Sequence, residues 1–422
     1  MEFISTPKML QRGERVSLFG AGGAGAEFLG RIRQSGRDIE VACFVDTYKS
    51  GELDGVPVLT LDEFARTRDL AAESIVITST HWEQIVHDLM QRGAQRIRIF
   101  FDRKRFPLCL AICDRELGGG KMAILDIGAY GATADRRFLP FGEDNIRCVG
   151  FEADAEECVV LNQRTRENGL DFTYMPLALW SSAGHQTLYY PKGNPGASSL
   201  YPVNMEVFRR WRMTNQWSSV NEAERLGEIT TFDIPVASLD EWQTRQKPQP
   251  FDFAKLNIQG AELEVLRGGT TILPDLLGVL VEVSFVESYV GRPLFADIDG
   301  FLRAQGFTFF DFPDRCHAGR AGSAVSVPRL SRYPWSKGQF IEGHALYLRD
   351  PIAAAGQRST PPKLESVLKL AAIAEANNQV EYAFELLQWA GERYQATGGT
   401  QEAETCRRVV EEAMREYQEL FA

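Results

Sequence analysis

The sequence is short of several things, and each shortage closes a class of function. No two cysteines have Cys-x-x-Cys spacing, and the seven present, at 43, 109, 113, 148, 158, 316 and 406, are an odd number. A zinc finger or dithiol redox couple is thereby excluded, and thiols kept reduced in a cytoplasm are expected. Histidines number five, at 81, 87, 185, 317 and 344, without ligand spacing, so no metal is expected. The longest apolar run, "LLGVLVEVSFV" at 276–286, is about half of the ~20 residues that span a bilayer, and the opening "MEFISTPKMLQRGER" has no signal-peptide core. A cytoplasmic protein with no membrane span follows. Positive charge is not in excess either: 46 Lys and Arg against 57 Asp and Glu give a formal net charge of −11, which repels a phosphate backbone and removes nucleic acid as a partner.

What is present is patterning. A chain of 422 residues has room for two or three domains. Between 15 and 102, apolar strands ("RVSLFG", "IEVACFVD", "VPVLT", "SIVITST", "RIRIFF") alternate with helical stretches, the spacing of βαβ crossovers over a parallel sheet. This predicts a small Rossmann-like domain over 1–104. Residues 103–120, ending in "ELGGGK", have the glycine content of a linker. A second alternation opens at "MAILDIG" (122–128), is interrupted by hairpin-like segments ("HQTLYYPKG", "ITTFDIPVASLDEW"), and resumes at "FDFAKLNI" (251–258), "LGVLVEVSF" (277–285), "FTFFDF" (307–312) and "HALYLRD" (344–350). It predicts a larger α/β domain over 105–355, with "FTYMPLALW" (172–180) as one of its strands. From 356 to 422 only helical periodicity remains, enough for three helices between Pro362 and Ala422; they are expected to pack as an appendage or to join copies of the chain in a homo-oligomer.

Two glycine loops carry the chemistry. In "FGAGGAG", Gly20, Gly22 and Gly25 follow a strand and open a helix, and Asp46 ends the next strand. That context suits a phosphate lying on helix N–H groups with an acid near the ribose. Three readings stay open for it: a nucleotide or nucleotide-sugar site, a dinucleotide site, and a glycine turn kept for close helix–strand packing. In "ILDIGAYGATADRRF", Asp126 ends a strand, Gly128 and Gly131 form the turn, and Glu152 ends the next strand 26 residues on, the same interval that separates Asp46 from Gly20. Glycines here leave space for a bulky ligand, and an acid can hold both ribose hydroxyls of an adenosine. S-adenosylmethionine, gripped by Asp126 and Glu152, is the expected cofactor.

Eight ordered blocks between about 121 and 350, among them "LDIGAYG", "VGFEADAEE", "GASSL", "VASLDEW" and "FDFAKLNIQGAELEVLRGG", resemble the FkbM family of S-adenosylmethionine-dependent methyltransferases. The resemblance implies a class I methyltransferase fold, a seven-stranded mostly parallel sheet of six parallel strands and a final antiparallel one, and methyl transfer to a hydroxyl of a sugar, glycan, nucleotide-sugar or other small molecule. It also implies cofactor contacts at Asp126, Gly128, Gly131, Glu152 and Asn257, and substrate contacts at Ser198 and Ser199. The family's strand-4 turn reads Lys-x-Asp-x-Glu-Gly-x-Glu; this chain has Asn257 and Gln259 in place of the first two acids. Separately, "VDTYKSGELDGVPVLTLDEF" (45–64) resembles a segment of the small Rossmann-like domains of sugar-nucleotide enzymes, which implies a role in polysaccharide biosynthesis.

Among remaining polar residues, Asn257 can align an acceptor hydroxyl but cannot take its proton. Lys255 and Glu282 interrupt apolar strands; the plain expectation is a mutual ion pair, and the functional one makes Glu282 a base. Glu262 either complements its helix dipole or serves the substrate site. Ser198 and Ser199 are turn residues or ligand contacts, and His317, in a loop near strand ends, is a candidate base. Catalytic candidates are therefore Asn257, Glu282 and Glu262. Two alternatives remain: a non-catalytic cofactor-binding protein that regulates polysaccharide synthesis, and a nicotinamide-dependent enzyme run from the first loop.

Overall fold

The computed structural model describes residues 2–4, 6–79, 82–129, 136–212, 222–248, 250–323, 338–356 and 361–421. The chain divides into two compact units, Met1–Pro107 with Ala134–Glu143, and Leu108–Thr133 with Asp144–Ala422.

The first unit is built on β1 (Glu2–Ile4), β2 (Glu14–Phe19), β3 (Ile39–Asp46), β4 (Gly51–Leu53), β5 (Val56–Thr60), β6 (Ser74–Ile77) and β7 (Arg96–Phe100). They form one sheet in the order β1-β7-β6-β2-β3-β5-β4. All neighbours are parallel except β4 and β5. Helix α1 (Gly23–Gln34) turns Phe28, Leu29 and Ile32 onto Val16, Leu18, Phe44 and Val76, the spacing of one apolar helix face. Periodicity alone misses β1, which is three residues long, and the β4–β5 hairpin. That hairpin turns through Asp54 and Gly55, both at positive φ, as a tight two-residue turn requires.

The second unit holds two sheets. Strands β8 (Met122–Ile127), β9 (Ile146–Glu152), β10 (Phe172–Pro176), β13 (Trp211–Arg212), β15 (Phe253–Leu256), β16 (Gly278–Ser284), β17 (Phe307–Arg320) and β18 (Gln339–Arg349) form the larger, in the order β10-β9-β8-β15-β16-β18-β17-β13. β10, β9, β8, β15 and β16 are mutually parallel, and β18 runs antiparallel to both neighbours. The expected six parallel strands and one antiparallel strand are there, and the two-residue β13 adds an eighth at the edge. Strands β11 (Ala178–Leu179), β12 (Gly184–Pro191) and β14 (Ile229–Ala237) form a separate small sheet. The segment 172–180 is therefore two strands: the chain leaves the main sheet after Pro176 and enters the small one at Ala178.

One face of the main sheet (Leu125, Phe151, Leu256, Val281, Val283, Tyr347) packs against Trp242 and against Leu263 and Leu266 of α2 (Glu262–Arg267). Burial of this kind contributes on the order of 1.5–3 kcal/mol per large side chain.

Residues 103–120 are not an open linker. Helix Pro107–Ala111 runs on as a π-helical turn, Ile112–Glu116, with Leu108, Cys109 and Ile112 fully buried. The three C-terminal helices, α3 (Leu364–Ala376), α4 (Val380–Thr397) and α5 (Thr400–Phe421), belong to this second unit. Buried Glu375 of α3 accepts the Leu108 and Cys109 backbone N–H groups at 2.8 and 2.6 Å and the Tyr417 hydroxyl of α5 at 2.6 Å. A carboxylate from α3 thus caps a helix that begins at Pro107. Among the described residues, no helix is long and apolar enough to cross a membrane.

Candidate functional site

The first glycine loop is tightly made. Gly20 adopts φ +118°, and a Cβ there would meet Thr78; a Cβ on Gly25 would overlap the Gly20 carbonyl, whereas one on Gly22 would enter open space. Gly25 therefore serves close helix–strand approach. The Asp46 carboxylate is held within its own loop, accepting from the backbone N–H groups of Tyr48 (3.0 Å), Lys49 (3.1 Å) and Ala21 (3.3 Å). Partial burial pushes its pKa up, but those three donors prevail and hold it below the usual aspartate value.

The second loop opens on a cavity at the carboxyl ends of the strands, lined by apolar residues such as Phe151 and Leu179 with a few polar groups among them. Its lining includes Gly128 and Glu152, at the carboxyl ends of β8 and β9, Tyr190 and Ser198, from the small-sheet insertion, and Asn257 and Gln259. Gly128 lies at φ +84°, where a Cβ would overlap the Asn257 carbonyl oxygen, so glycine is needed for the close approach of the loop to the turn after β15. Glu152 accepts the Asp154 N–H at 3.0 Å; burial, reinforced by the Asp154 and Glu157 charges, raises its pKa despite that bond.

Of the two carboxylates expected to flank the ligand, only Glu152 lines the cavity. Asp126, 2% exposed, is paired across the sheet with Lys255, whose Nζ sits 2.9 Å from Asp126 Oδ1 and donates to the Gly128 carbonyl at 2.8 Å. Lys255 thus ties the glycine loop to β15. The expected Lys255–Glu282 pair does not form. Strand register sets Lys255 beside Leu280 and leaves Glu282 two residues further along. Gly131 lies outside the described residues.

The turn after β15 is held from three directions. Gln259 adopts φ +58°, uncommon for a residue with a side chain, and its carbonyl accepts from Ser199 Oγ at 2.7 Å. Buried Glu262 accepts from the Ile258 and Gly260 N–H groups, both at 2.9 Å, so it clamps the turn from behind and does not line the cavity. Ser198 Oγ donates to Pro195 while its residue stays in the cavity wall.

Behind the turn lies a buried polar row. Gln259 Nε2 donates to Asn257 Oδ1 (3.0 Å) and Glu282 Oε1 (3.1 Å). Glu282 Oε2 is 3.8 Å from Arg292 Nη2. Burial, with the charges of Glu342 and Glu262, pushes Glu282 up to about 8, although Arg292 and Gln259 pull against it. His317 is not in a loop: it lies in β17 opposite Phe340 and stacks on that ring. Sequence reasoning missed Arg292, Tyr289 and the positions of His344 and Asp314. The one signal for His344 was a polar residue opening an apolar strand, the same signal that singled out Glu282.

The family model for the methyltransferase FkbM domain matches residues 126–309, a span that takes in the cavity lining and the turn. No curated protein matches the chain.

Proposed function

We propose that the chain is an S-adenosylmethionine-dependent O-methyltransferase acting on a hydroxyl of a sugar, glycan or related small molecule, a reading supported by the match of residues 126–309 to the methyltransferase FkbM domain. The observation that supports this reading is the cavity at the strand ends, which Gly128 and Glu152 share with Tyr190 and Ser198. Glu152 offers a carboxylate to ribose hydroxyls, while Tyr190 and Ser198 offer an aromatic ring and a hydroxyl to an acceptor. When bound, S-adenosylmethionine supplies an electrophilic methyl group whose C–S electron pair stays with sulfur on transfer. The chain's own residues do the rest: Lys255 fixes the loop, Glu262 fixes the turn, and Asn257 orients the hydroxyl. Asn257 also belongs to the cavity lining, as Gly128 does.

Calorimetry with S-adenosylhomocysteine tests the reading, the expected outcome being one saturable site per chain. No heat and no thermal shift with either the donor or its product would sink it. The sugar-nucleotide resemblance of the first unit supports a nucleotide-sugar there and a place in polysaccharide biosynthesis; titration of UDP-sugars and NADH separates that reading from the nicotinamide and packing alternatives.

A further inference from the structure

The hydrogen bonds behind the turn fix the protonation of one ring. Gln259 directs both amide protons at Asn257 Oδ1 and Glu282 Oε1 and turns its oxygen toward the Tyr289 hydroxyl at 3.2 Å. Asn257 Oδ1 is therefore the accepting end of its amide, and Nδ2 faces His344 Nε2 at 3.3 Å. An amide nitrogen only donates, so His344 Nε2 accepts and the ring proton lies on Nδ1, 3.5 Å from Asp314 Oδ2. Sheet register builds the arrangement: Glu282 on β16 and Asp314 on β17 are the two cross-strand partners of His344. An imidazole whose protonated nitrogen faces a carboxylate, and whose lone pair faces the amide of Asn257, a residue of the cavity lining, is arranged as a general base.

The geometry points to His344, oriented by Asp314, as the group that takes the proton of the acceptor hydroxyl, with the Asn257 amide holding that hydroxyl's place until the acceptor arrives. The incoming hydroxyl displaces Asn257 Nδ2 from Nε2. Its proton passes from oxygen to Nε2, the electron pair left on oxygen forms the bond to the transferred methyl carbon, and the imidazolium returns the proton to water. This gives the two amides a reason. As acids, residues 257 and 259 would add negative charge beside Glu282, Glu262 and Glu342; as amides they connect the row and present a donor to His344 Nε2. The inference rests on the hydroxyl-acceptor reading above.

Among the described residues, the charged groups around His344 include Asp314 on β17, Glu282 on β16, Glu342 two residues along β18 and, beyond Glu282, Arg292, so the test measures the ring directly. In the full chain labelled with 15N-histidine, with His344→Gln identifying the resonance, a neutral Nδ1–H tautomer is expected at about pH 8. An Nε2–H tautomer, or a ring still charged there, overturns the proposal.

Methyl transfer from labelled donor to a panel of methyl glycosides is the second arm. His344→Gln is expected to lower turnover ~100-fold or more and to remove the acidic limb of the pH profile, with S-adenosylhomocysteine affinity unchanged. Asp314→Asn gives a smaller loss and moves the limb. Wild-type turnover in His344→Gln overturns the assignment of the base alone, whereas a wild-type chain that binds no S-adenosylhomocysteine defeats the cofactor reading and leaves the tautomer to decide the base.

Discussion

The two glycine loops share a layout and differ in what their acids do. Each follows a parallel strand, and an acid ends the next strand at a similar distance, Asp46 26 residues after Gly20 and Glu152 24 residues after Gly128. In the first, three backbone N–H groups occupy the Asp46 carboxylate, and Gly25 is needed because the helix comes close. In the second, Glu152 borders a cavity while accepting the Asp154 N–H, and Gly128 is needed because the turn after the next strand of the sheet comes close. The lesson is that spacing places an acid at a strand end, while the conformation of the next few residues decides whether it satisfies its own backbone or faces a ligand.

The change expected to break this contrast most severely is Lys255→Met. It strands the buried Asp126 carboxylate beneath the second loop and should cost about 3–5 kcal/mol in chemical denaturation, most of it recovered when Asp126→Leu is added. Next is Gly128→Ala, which pits a Cβ against the Asn257 carbonyl at a left-handed φ: a ~100-fold loss of S-adenosylhomocysteine affinity by calorimetry is expected, about 2.7 kcal/mol, and Gly22→Ala is the silent control.

Glu152→Gln should weaken the same ligand about tenfold, the loss of a charge-assisted hydrogen bond, and Asp46→Asn should leave it unchanged. The smallest effect is the sharpest in sign. The folded-state pKa of Asp46 lies below its ordinary value and that of Glu152 above. Asp46 therefore contributes stability that is present above the ordinary aspartate value and lost as pH falls through its folded pKa. The Glu152 contribution is present below the ordinary glutamate value and is lost as pH rises through its folded pKa. At neutral pH, Asp46→Asn should lower the melting temperature and Glu152→Gln should raise it; shifts of the same sign would erase the distinction.

The parallel architecture was legible because buried strands and crossover helices write their periods into the sequence. The turn at 257–260 and part of the cavity lining were also within reach, through Asn257, Ser198, Gly128 and Glu152. What stayed hidden depends on register. Lys255 had two neighbouring strands to choose from, and two residues of offset decided for Asp126 over Glu282. The link from Asn257 to His344 spans 87 residues and exists because β18 is inserted between β16 and β17, a fact no local pattern carries. The helix at 107–116 was obscured by the glycines beside it, and its cap comes from Glu375, more than 260 residues away.

That cap has a practical corollary. A fragment excised at the boundaries suggested by composition, 105–355, would keep every wall of the cavity yet leave the Leu108 and Cys109 amides buried with no acceptor, and Asp252 without Lys369. The unit that holds the cavity is finished only by the C-terminal helices, so a minimal fragment would have to carry them.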